Sequence, residues 1–348
     1  MVGQLRQVTG DGETVFLTGA NGFVGSHVLR ALLAARYRVH ALIRPASRQI
    51  PLLEGCTTVW GDVLRAGELV QHMKGCRYLI HVAALYSFAP EMQQKMFETN
   101  VRGCAGILEA AHQAGIERAL VTSSSSTVGP GHSGRPATEE DWDVEKASSA
   151  YHYSKLQQAR IALAAQIPTV LVLPTAPVGP GDWKPTPTGK MVVDFMRGRI
   201  FATLDGGLNV VAVEDVARAH VLALQHGQPG ERYLIGGEDI SLPQLWERLA
   251  QICGRVAPGM HIPFRLAFTL GWADELRCRL LHNRGAAAAP LIPLEGVRMA
   301  RHHMYASSAK AETELGYKAT SATAALERAV QWYRDNGYVA TREKGAVL

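Results

Sequence analysis

Cysteine is scarce in this chain of 348 residues, and its placement excludes two kinds of site. Only five cysteines occur, at scattered positions and without a C-x-x-C pair. This spacing argues against a disulfide framework and against zinc, and it favours reduced thiols in a cytoplasmic protein. The sequence also lacks H-E-x-x-H, and its neighbouring His302 and His303 do not have a ligand spacing. We therefore predict no metal site.

Long apolar runs and runs of one charge are also missing. No stretch of 18 apolar residues occurs, so we predict no transmembrane helix. Residues 1–13 lack an apolar core and are expected to form a disordered lead rather than a signal peptide. The net charge of +5, from 36 basic and 31 acidic residues, is mild and unclustered, which argues against a nucleic-acid partner. The hydrophobic content of 47% is enough for a large core.

The first half of the chain alternates between short apolar segments and segments with helical periodicity. This alternation predicts an α/β fold with a doubly wound parallel sheet that is covered on both faces. The predicted strands are 14–18, 38–43, 57–60, 78–82, 118–124 and 169–174, and the predicted helices are 22–35, 65–74, 91–114 and 148–166.

The second half is less regular and predicts a smaller C-terminal lobe over 175–345 that binds substrate. The Pro-rich stretch 184–190 is interpreted as a loop. Segments near 209–240 are expected to return to the core of the first domain, as a helix over 214–225 and a strand over 232–236.

A glycine-rich turn lies between the first predicted strand and the first predicted helix. In "TGANGFVG", Gly19, Gly22 and Gly25 form a G-x-x-G-x-x-G pattern. Glycines allow the backbone to turn tightly and to approach a pyrophosphate, while the helix N-terminus offers free N–H groups. The pattern predicts a Rossmann-type NAD(P)-binding domain over 14–174.

The end of the second predicted strand indicates which dinucleotide binds. An acidic residue there would bond the ribose 2′-hydroxyl of NAD, but this sequence has Arg44, with Arg48 nearby. A guanidinium can bond a 2′-phosphate through two N–H groups, so NADP is favoured and NAD is the alternative. Asp62, after the third strand, could accept from the adenine amino group or could form an Asx turn.

The stretch "YHYSK" places a phenol and an ammonium one helical turn apart. Tyr151 and Lys155 are at i and i+4 and share a helix face, whereas Tyr153 points elsewhere. A phenol with a pKa of about 10 is a poor base at neutral pH. A nearby ammonium would favour the phenolate and bring the pKa toward the working range.

Several motifs together resemble the extended short-chain dehydrogenases/reductases. They are "TGANGFVG", "GDV" (61–63), "HVAA" (81–84), "TNVRG" (99–103), "VTSSSS" (121–126), "YHYSK" and "AVEDVARAH" (212–220). The resemblance runs from Thr14 to about Tyr338. Within the family the chain is similar to the dihydroflavonol-reductase and 3β-hydroxysteroid-dehydrogenase branch, and most of all to bacterial hopanoid-associated sugar epimerase-like proteins.

The resemblance implies a role for particular residues. Tyr151 would donate or accept the proton, and Lys155 would hold the nicotinamide ribose and lower the pKa of Tyr151. Ser124 would bond the substrate oxygen, with Ser125 as a rival, and Asn100 would support the site. The implied cofactor contacts come from Gly19, Asn21, Gly22, Phe23, Val24, Gly25, Arg44, Asp62, Val63, Ala83, Tyr151, Lys155 and Pro174.

Two functions use this set of residues, and a third does not. The first is an NADP-dependent oxidoreductase that acts on an apolar alcohol or ketone, similar to a sterol, hopanoid or flavonoid. The alternative is a sugar or nucleotide-sugar epimerase, and the third is a non-catalytic dinucleotide sensor. We expect the first, because few basic clusters that could bind a diphosphate follow residue 175, with Lys184 and Lys190 as exceptions.

The segment 263–281 suggests further partners. Phe264, Phe268 and Trp272 recur every four residues near several arginines. The segment could be a lid helix packed on the core, an apolar wall of the substrate site, or a peripheral membrane contact. A homodimer is a further expectation. His81 is interpreted as a packing residue, and Glu214 and Asp215 as caps of the helix that follows.

Overall fold

Seven strands form one parallel sheet in the computed structural model, which describes residues 10–45, 55–87, 90–131, 134–142, 149–282, 297 and 303–339. The strands are β1 (Thr14–Thr18), β2 (Arg38–Ile43), β3 (Thr57–Trp60), β4 (Tyr78–His81), β5 (Arg118–Thr122), β6 (Thr169–Pro174) and β10 (Arg232–Ile235). Their order is β10-β6-β5-β4-β1-β2-β3. Because every pair is parallel, all the carboxyl ends lie at one edge.

Helices cover both faces of this sheet. On one face α1 (Phe23–Ala34) packs against α7 (Val213–His226) over apolar side chains of β1 and β2. On the other face lie α2 (Val70–Met73), α4 (Gly103–Gln113) and α5 (Ala150–Leu163), over a second apolar cluster. The predicted α/β fold with a doubly wound parallel sheet is therefore confirmed.

A smaller lobe has its own sheet and its own core. The sheet contains β7 (Ala176–Val178), β9 (Gly207–Ala212), β11 (Glu238–Ser241) and β13 (His303–Met304). Three helices enclose its apolar cluster: α6 (Pro187–Met196), α8 (Leu242–Cys253) and α11 (Ala322–Asp335). Within 209–240, β10 is a strand of the large sheet and α7 packs on that sheet, whereas β9 and β11 are strands of the small sheet.

The remaining described elements are short or peripheral. α10 (Ala309–Leu315) packs against α7 and β10. β8 (Ala202–Thr203) pairs with β12 (Met260–His261), which leads into α9 (Phe264–His282). None of the helices in the described ranges is both long and apolar enough to cross a membrane.

Three predictions about local structure are wrong in part. The loop predicted over 184–190 ends early, because Thr186 caps α6 by accepting from Gly189 N–H and Pro187 begins the helix. Of the disordered lead predicted over 1–13, residues 1–9 lie outside the described residues. Residues 10–13 form an ordered turn, in which Gly10 N–H donates to Ala35 O at 2.8 Å. The strand predicted over 118–124 ends at Thr122.

The helix predicted over 91–114 is helical but not uniform. It consists of a short 3₁₀ turn, α3 (Gln93–Phe97), a π-helical turn (Glu98–Arg102) and α4. A π turn widens the helix by one residue and is frequent at functional sites. Here it contains Asn100, one of the predicted site residues.

Candidate active site

The predicted site residues follow different strands but meet at one edge of the large sheet. Gly19, Arg44, Asp62, Ala83 and Ser124 come shortly after β1, β2, β3, β4 and β5, and Pro174 ends β6. Because the strands are parallel and adjacent, these positions line the carboxyl edge, where open α/β sheets bind ligands.

The glycine turn has the shape of a phosphate cradle. Gly19 has a φ of +75°, and a Cβ there would lie 2.7 Å from Ala83 N. A Cβ on Gly25 would lie 2.0 Å from Gly19 O, so α1 can approach the turn only because that position is glycine. Gly22 caps α1 without a side-chain hydrogen bond, which leaves backbone N–H groups of the first turn for an anion. These features fit a dinucleotide pyrophosphate.

Further residues surround this cradle. Asn21, Phe23 and Val24 lie at the turn and in the first turn of α1, and all three are partly exposed. Arg44 follows β2 directly and is exposed, so its guanidinium is accessible to a 2′-phosphate.

Asp62 forms an Asx turn, the alternative to a contact with adenine. Its Oδ1 accepts from Leu64 N–H at 3.0 Å and caps the 3₁₀ helix Val63–Leu69. Val63 is buried against α4, where a Cβ on Gly103 would lie 2.9 Å from its side chain. A contact of Asp62 with adenine stays a prediction.

Ser124 and Tyr151, the predicted reactive residues, lie next to each other. Ser124 caps the 3₁₀ turn Ser125–Thr127 through its Oγ, which accepts from Ser126 N–H at 3.2 Å. Its hydroxyl lies close enough to Tyr151 to act on the pKa of that phenol. Burial raises the pKa of Tyr151 to about 12, and the Ser124 hydroxyl lowers it in part. Ser124, and not Ser125, is the serine that acts on the pKa of Tyr151.

The two tyrosines of "YHYSK" face different surroundings. The Tyr151 ring packs edge-on against Tyr86, with centroids 4.3 Å apart. Tyr153 is 47% exposed and stacks on Phe97 with centroids 6.0 Å apart. The helical spacing therefore separates them as predicted.

Lys155 lies beneath the site rather than on its surface. Its Nζ donates to Thr122 O at 3.0 Å and to Gln158 Oε1 at 2.9 Å. Burial lowers the pKa of Lys155 to about 8. The Lys155 ammonium is directed at Thr122 and Gln158, and the group that lowers the Tyr151 pKa in this structure is Ser124. A lowering of the Tyr151 pKa by Lys155 stays a prediction.

Asn100 holds the chain that leaves β4. Its Oδ1 accepts from Leu85 N–H at 2.7 Å, and its Nδ2 donates to Leu85 O at 2.9 Å and to Ser154 Oγ at 3.0 Å. It thereby ties the segment containing Tyr86 to the helix that contains Tyr151. Its role is to hold these two segments in register.

Sequence reasoning missed the polar residues that lie under the site. Thr18 Oγ1 bonds His81 Nδ1 at 2.8 Å and accepts from Ala83 N–H at 3.2 Å. Thr122 Oγ1 bonds His220 Nε2 at 2.8 Å. Only Gln158 had a usable signal, because its i+3 spacing from Lys155 places both on one helix face.

The long helix of the smaller lobe has one packed face and one exposed face. Phe264 and Phe268 are half-buried with ring centroids 5.8 Å apart. Leu266, Leu270 and Trp272 are exposed, Trp272 to 57%. A role as a lid or as a wall of the substrate site stays a prediction. Contact of the exposed face with a membrane stays a prediction.

Comparison with known families agrees with this geometry. The model of the NAD dependent epimerase/dehydratase family matches residues 15–236, more than half of the chain. The chain belongs to this family and is an NAD(P)-dependent enzyme of the extended short-chain dehydrogenase/reductase type.

Individual relatives place the chain more narrowly. It is 40% identical to a Synechocystis sp. protein provisionally named dihydroflavonol 4-reductase, over 95% of this chain and 97% of the relative. It is 31% identical to sterol demethylase protein B of Methylococcus capsulatus, over 94% and 100%. Together these names confirm the predicted branch of the family.

A solved structure extends the comparison. The structure of a nucleoside-diphosphate-sugar epimerase from Pseudomonas aeruginosa superposes on this chain with a TM-score of 0.76 and 25% sequence identity. The superposition covers 94% of this chain and 99% of the epimerase. The same fold therefore also serves an enzyme named for a sugar nucleotide.

Proposed function

We propose that this enzyme is an NADP-dependent oxidoreductase that transfers a hydride between nicotinamide C4 and an alcohol or ketone carbon of an apolar substrate resembling a sterol, hopanoid or flavonoid. The observation that carries the proposal is the placement of Ser124 next to Tyr151 at the carboxyl edge of the sheet, beside the glycine cradle. This pair supplies a proton donor and an orienting hydroxyl where a dinucleotide would end.

The chain's own residues provide the acid–base half of the reaction. In the reducing direction, the Tyr151 hydroxyl gives its proton to the carbonyl oxygen as the C=O π bond breaks. Ser124 bonds the same oxygen as negative charge develops on it. A bound reduced nicotinamide would supply the hydride to the carbon. Lys155 would hold the ribose and return a positive charge to the site, which favours the phenolate in the reverse direction.

Arg44 supports NADP rather than NAD. It stands exposed at the end of β2, where an acidic residue would repel a 2′-phosphate. A guanidinium there gains a charge-assisted hydrogen bond to a 2′-phosphate only from the phosphorylated dinucleotide.

Three observations support an apolar substrate. The relatives at 40% and 31% identity carry names for a flavonoid and for a sterol enzyme. The Tyr86 ring packs against the Tyr151 ring and offers an aromatic surface beside it. Lys190, which could have bound a diphosphate, pairs instead with Asp194.

A second candidate is epimerisation of a sugar or nucleotide sugar with the same three residues. It is favoured by the superposition on the Pseudomonas aeruginosa epimerase. The two reactions differ in outcome, because an epimerase returns the hydride to its substrate and leaves the cofactor unchanged.

The experiment is a substrate panel with the full chain. We expect NADPH to be consumed with an apolar ketone, such as a 3-ketosteroid or a flavanonol, and not with a nucleotide sugar. Tyr151→Phe is the inactive control. Activity confined to the nucleotide sugars would contradict the proposal and support the second candidate. A homodimer and a cytoplasmic location stay predictions.

A further inference from the structure

The buried ammonium of Lys155 is bound by two oxygens of the chain. Only 2% of Lys155 is exposed, and Gln158 is fully buried. The two acceptors are Thr122 O at 3.0 Å and Gln158 Oε1 at 2.9 Å. Within the described ranges no carboxylate forms an ion pair with Lys155. These two neutral acceptors therefore take the place of the water that burial removes.

The titratable groups that face Lys155 do not offset its charge. His81 on β4 is fully buried, and burial together with the Lys155 charge lowers its pKa to about 3. Cys104 on α4 is also fully buried, and its pKa is raised to about 12. Tyr151, on the same helix, has its pKa raised to about 12. All three are neutral at pH 7, so the ammonium depends on its hydrogen bonds.

The geometry fixes how Gln158 takes part. Gln158 is three residues after Lys155 on α5, so the two side chains share a face. An ammonium has three donors and no lone pair, so the amide must present its oxygen to it. Thr122 O and Gln158 Oε1 use two of the three protons. One proton remains to be donated elsewhere.

We propose that Gln158 is a positioning residue for the reaction: its side-chain oxygen keeps the buried Lys155 ammonium protonated and oriented, with its third proton free for the ribose of a bound dinucleotide. The inference deepens the proposed function and rests on it for the identity of that ligand. Gln158 does not touch the reacting atoms. It acts through Lys155.

The first test measures Lys155 without any cofactor. In protein labelled with ¹³C at lysine Cε, the signal lost in Lys155→Met reports the titration of Lys155. We expect its midpoint to fall in Gln158→Leu, which removes the acceptor, and to rise in Gln158→Glu, which adds a negative charge. Gln157→Leu, at the neighbouring and only partly buried glutamine, should leave the midpoint in place.

The second test measures cofactor binding by calorimetry. Gln158→Leu should weaken NADP⁺ binding at pH 8 by roughly tenfold or more, the effect of one hydrogen bond to a charged group. The loss should shrink at pH 6.5, where the lysine of the variant regains its proton. Gln157→Leu should bind as the wild type does.

The outcomes separate this inference from the proposed function. A midpoint that stays in place in both Gln158 variants, with a lower melting temperature alone, would overturn the inference and leave Gln158 a packing residue. Unchanged NADP⁺ affinity in Gln158→Leu would overturn it too. If the midpoints move and binding weakens but no apolar ketone is reduced, the inference stands and the proposed substrate is wrong.

Discussion

At the residue scale, the hydroxyl of Tyr151 is the atom on which the chemistry depends. Tyr151→Phe should reduce turnover by ~10²–10⁴-fold, the usual contribution of a general acid or base. Cofactor affinity should remain nearly intact, because the ring and its contact with Tyr86 are kept. Steady-state kinetics and calorimetry measure the two effects separately.

Tyr153 provides the matched control for this substitution. Its ring stacks on Phe97 and it is the more exposed of the two tyrosines. Tyr153→Phe should therefore keep most of the activity. If Tyr153→Phe were the inactive variant, the assignment of the proton donor would be wrong.

Arg44 should determine which dinucleotide is preferred. Arg44→Ala should weaken NADPH binding by about tenfold to a hundredfold, the effect of a charge-assisted hydrogen bond, and should leave NADH binding nearly unchanged. Fluorescence titration of the two reduced dinucleotides measures the ratio. Equal affinity of the wild type for both would contradict the assignment, as would a preference that survives in Arg44→Ala.

At the element scale, the approach of α1 to the turn after β1 depends on one glycine. Gly25→Ala would place a Cβ 2.0 Å from Gly19 O, which is a backbone atom and cannot rotate away. We expect loss of dinucleotide binding and a lower melting temperature, since α1 must shift from the sheet.

Gly67→Ala is the control, because a Cβ there would meet nothing within 4 Å. That substitution should leave binding unchanged and could raise stability slightly by restricting the unfolded chain. Equal behaviour of the two variants in calorimetry and thermal melting would show that close packing at Gly25 does not shape the cradle.

Local patterns predicted the large sheet well for a physical reason. Strands that are buried on both faces of a parallel sheet appear in the sequence as short apolar runs. The glycine turn and the YxxxK motif can be recognised from the spacing of their residues. The pattern did not reveal the π turn at Asn100, which depends on how α3 and α4 pack. Nor did it reveal the bond from Lys155 to Thr122, because that contact joins a helix to a strand 33 residues away.

At the scale of the whole molecule, long-range contacts join the two lobes in ways that local sequence could not indicate. The prediction that Glu214 and Asp215 cap α7 is wrong: both lie in its first turn, but the N-cap is Ala212 and no side chain caps the helix. Their side chains are used elsewhere: Glu214 pairs with Arg328, and Asp215 accepts from Thr320 N–H at 2.6 Å. Arg328 is 114 residues from Glu214 in sequence, and Thr320 is 105 residues from Asp215.

Buried histidines should make the fold sensitive to acid. Burial lowers the pKa of His81 to about 3 and that of His220 to about 4. Between pH 6.5 and 4 the unfolded chain binds protons at these two histidines and the native chain does not. The free energy of unfolding should therefore decrease as the pH is lowered through this range. Each histidine contributes up to about 1.4 kcal/mol per pH unit to the slope of the free energy of unfolding against pH.

Denaturant unfolding at several pH values measures this slope. His220→Gln should reduce the slope by the equivalent of about one proton, even if the variant is less stable at pH 7. His261→Gln, at an exposed position on β12, should leave the slope unchanged. An identical slope in wild type and His220→Gln would contradict the prediction.

The central claim is that the enzyme carries out net redox chemistry on an apolar substrate. The most direct measurement follows absorbance of the reduced nicotinamide during turnover and quantifies product and protein-bound cofactor in the same sample. We predict one NADPH consumed for each molecule of ketone reduced, and purified protein that carries little cofactor. Conversion of one sugar epimer into another with no net change in cofactor, by protein that retains bound dinucleotide, would contradict the account.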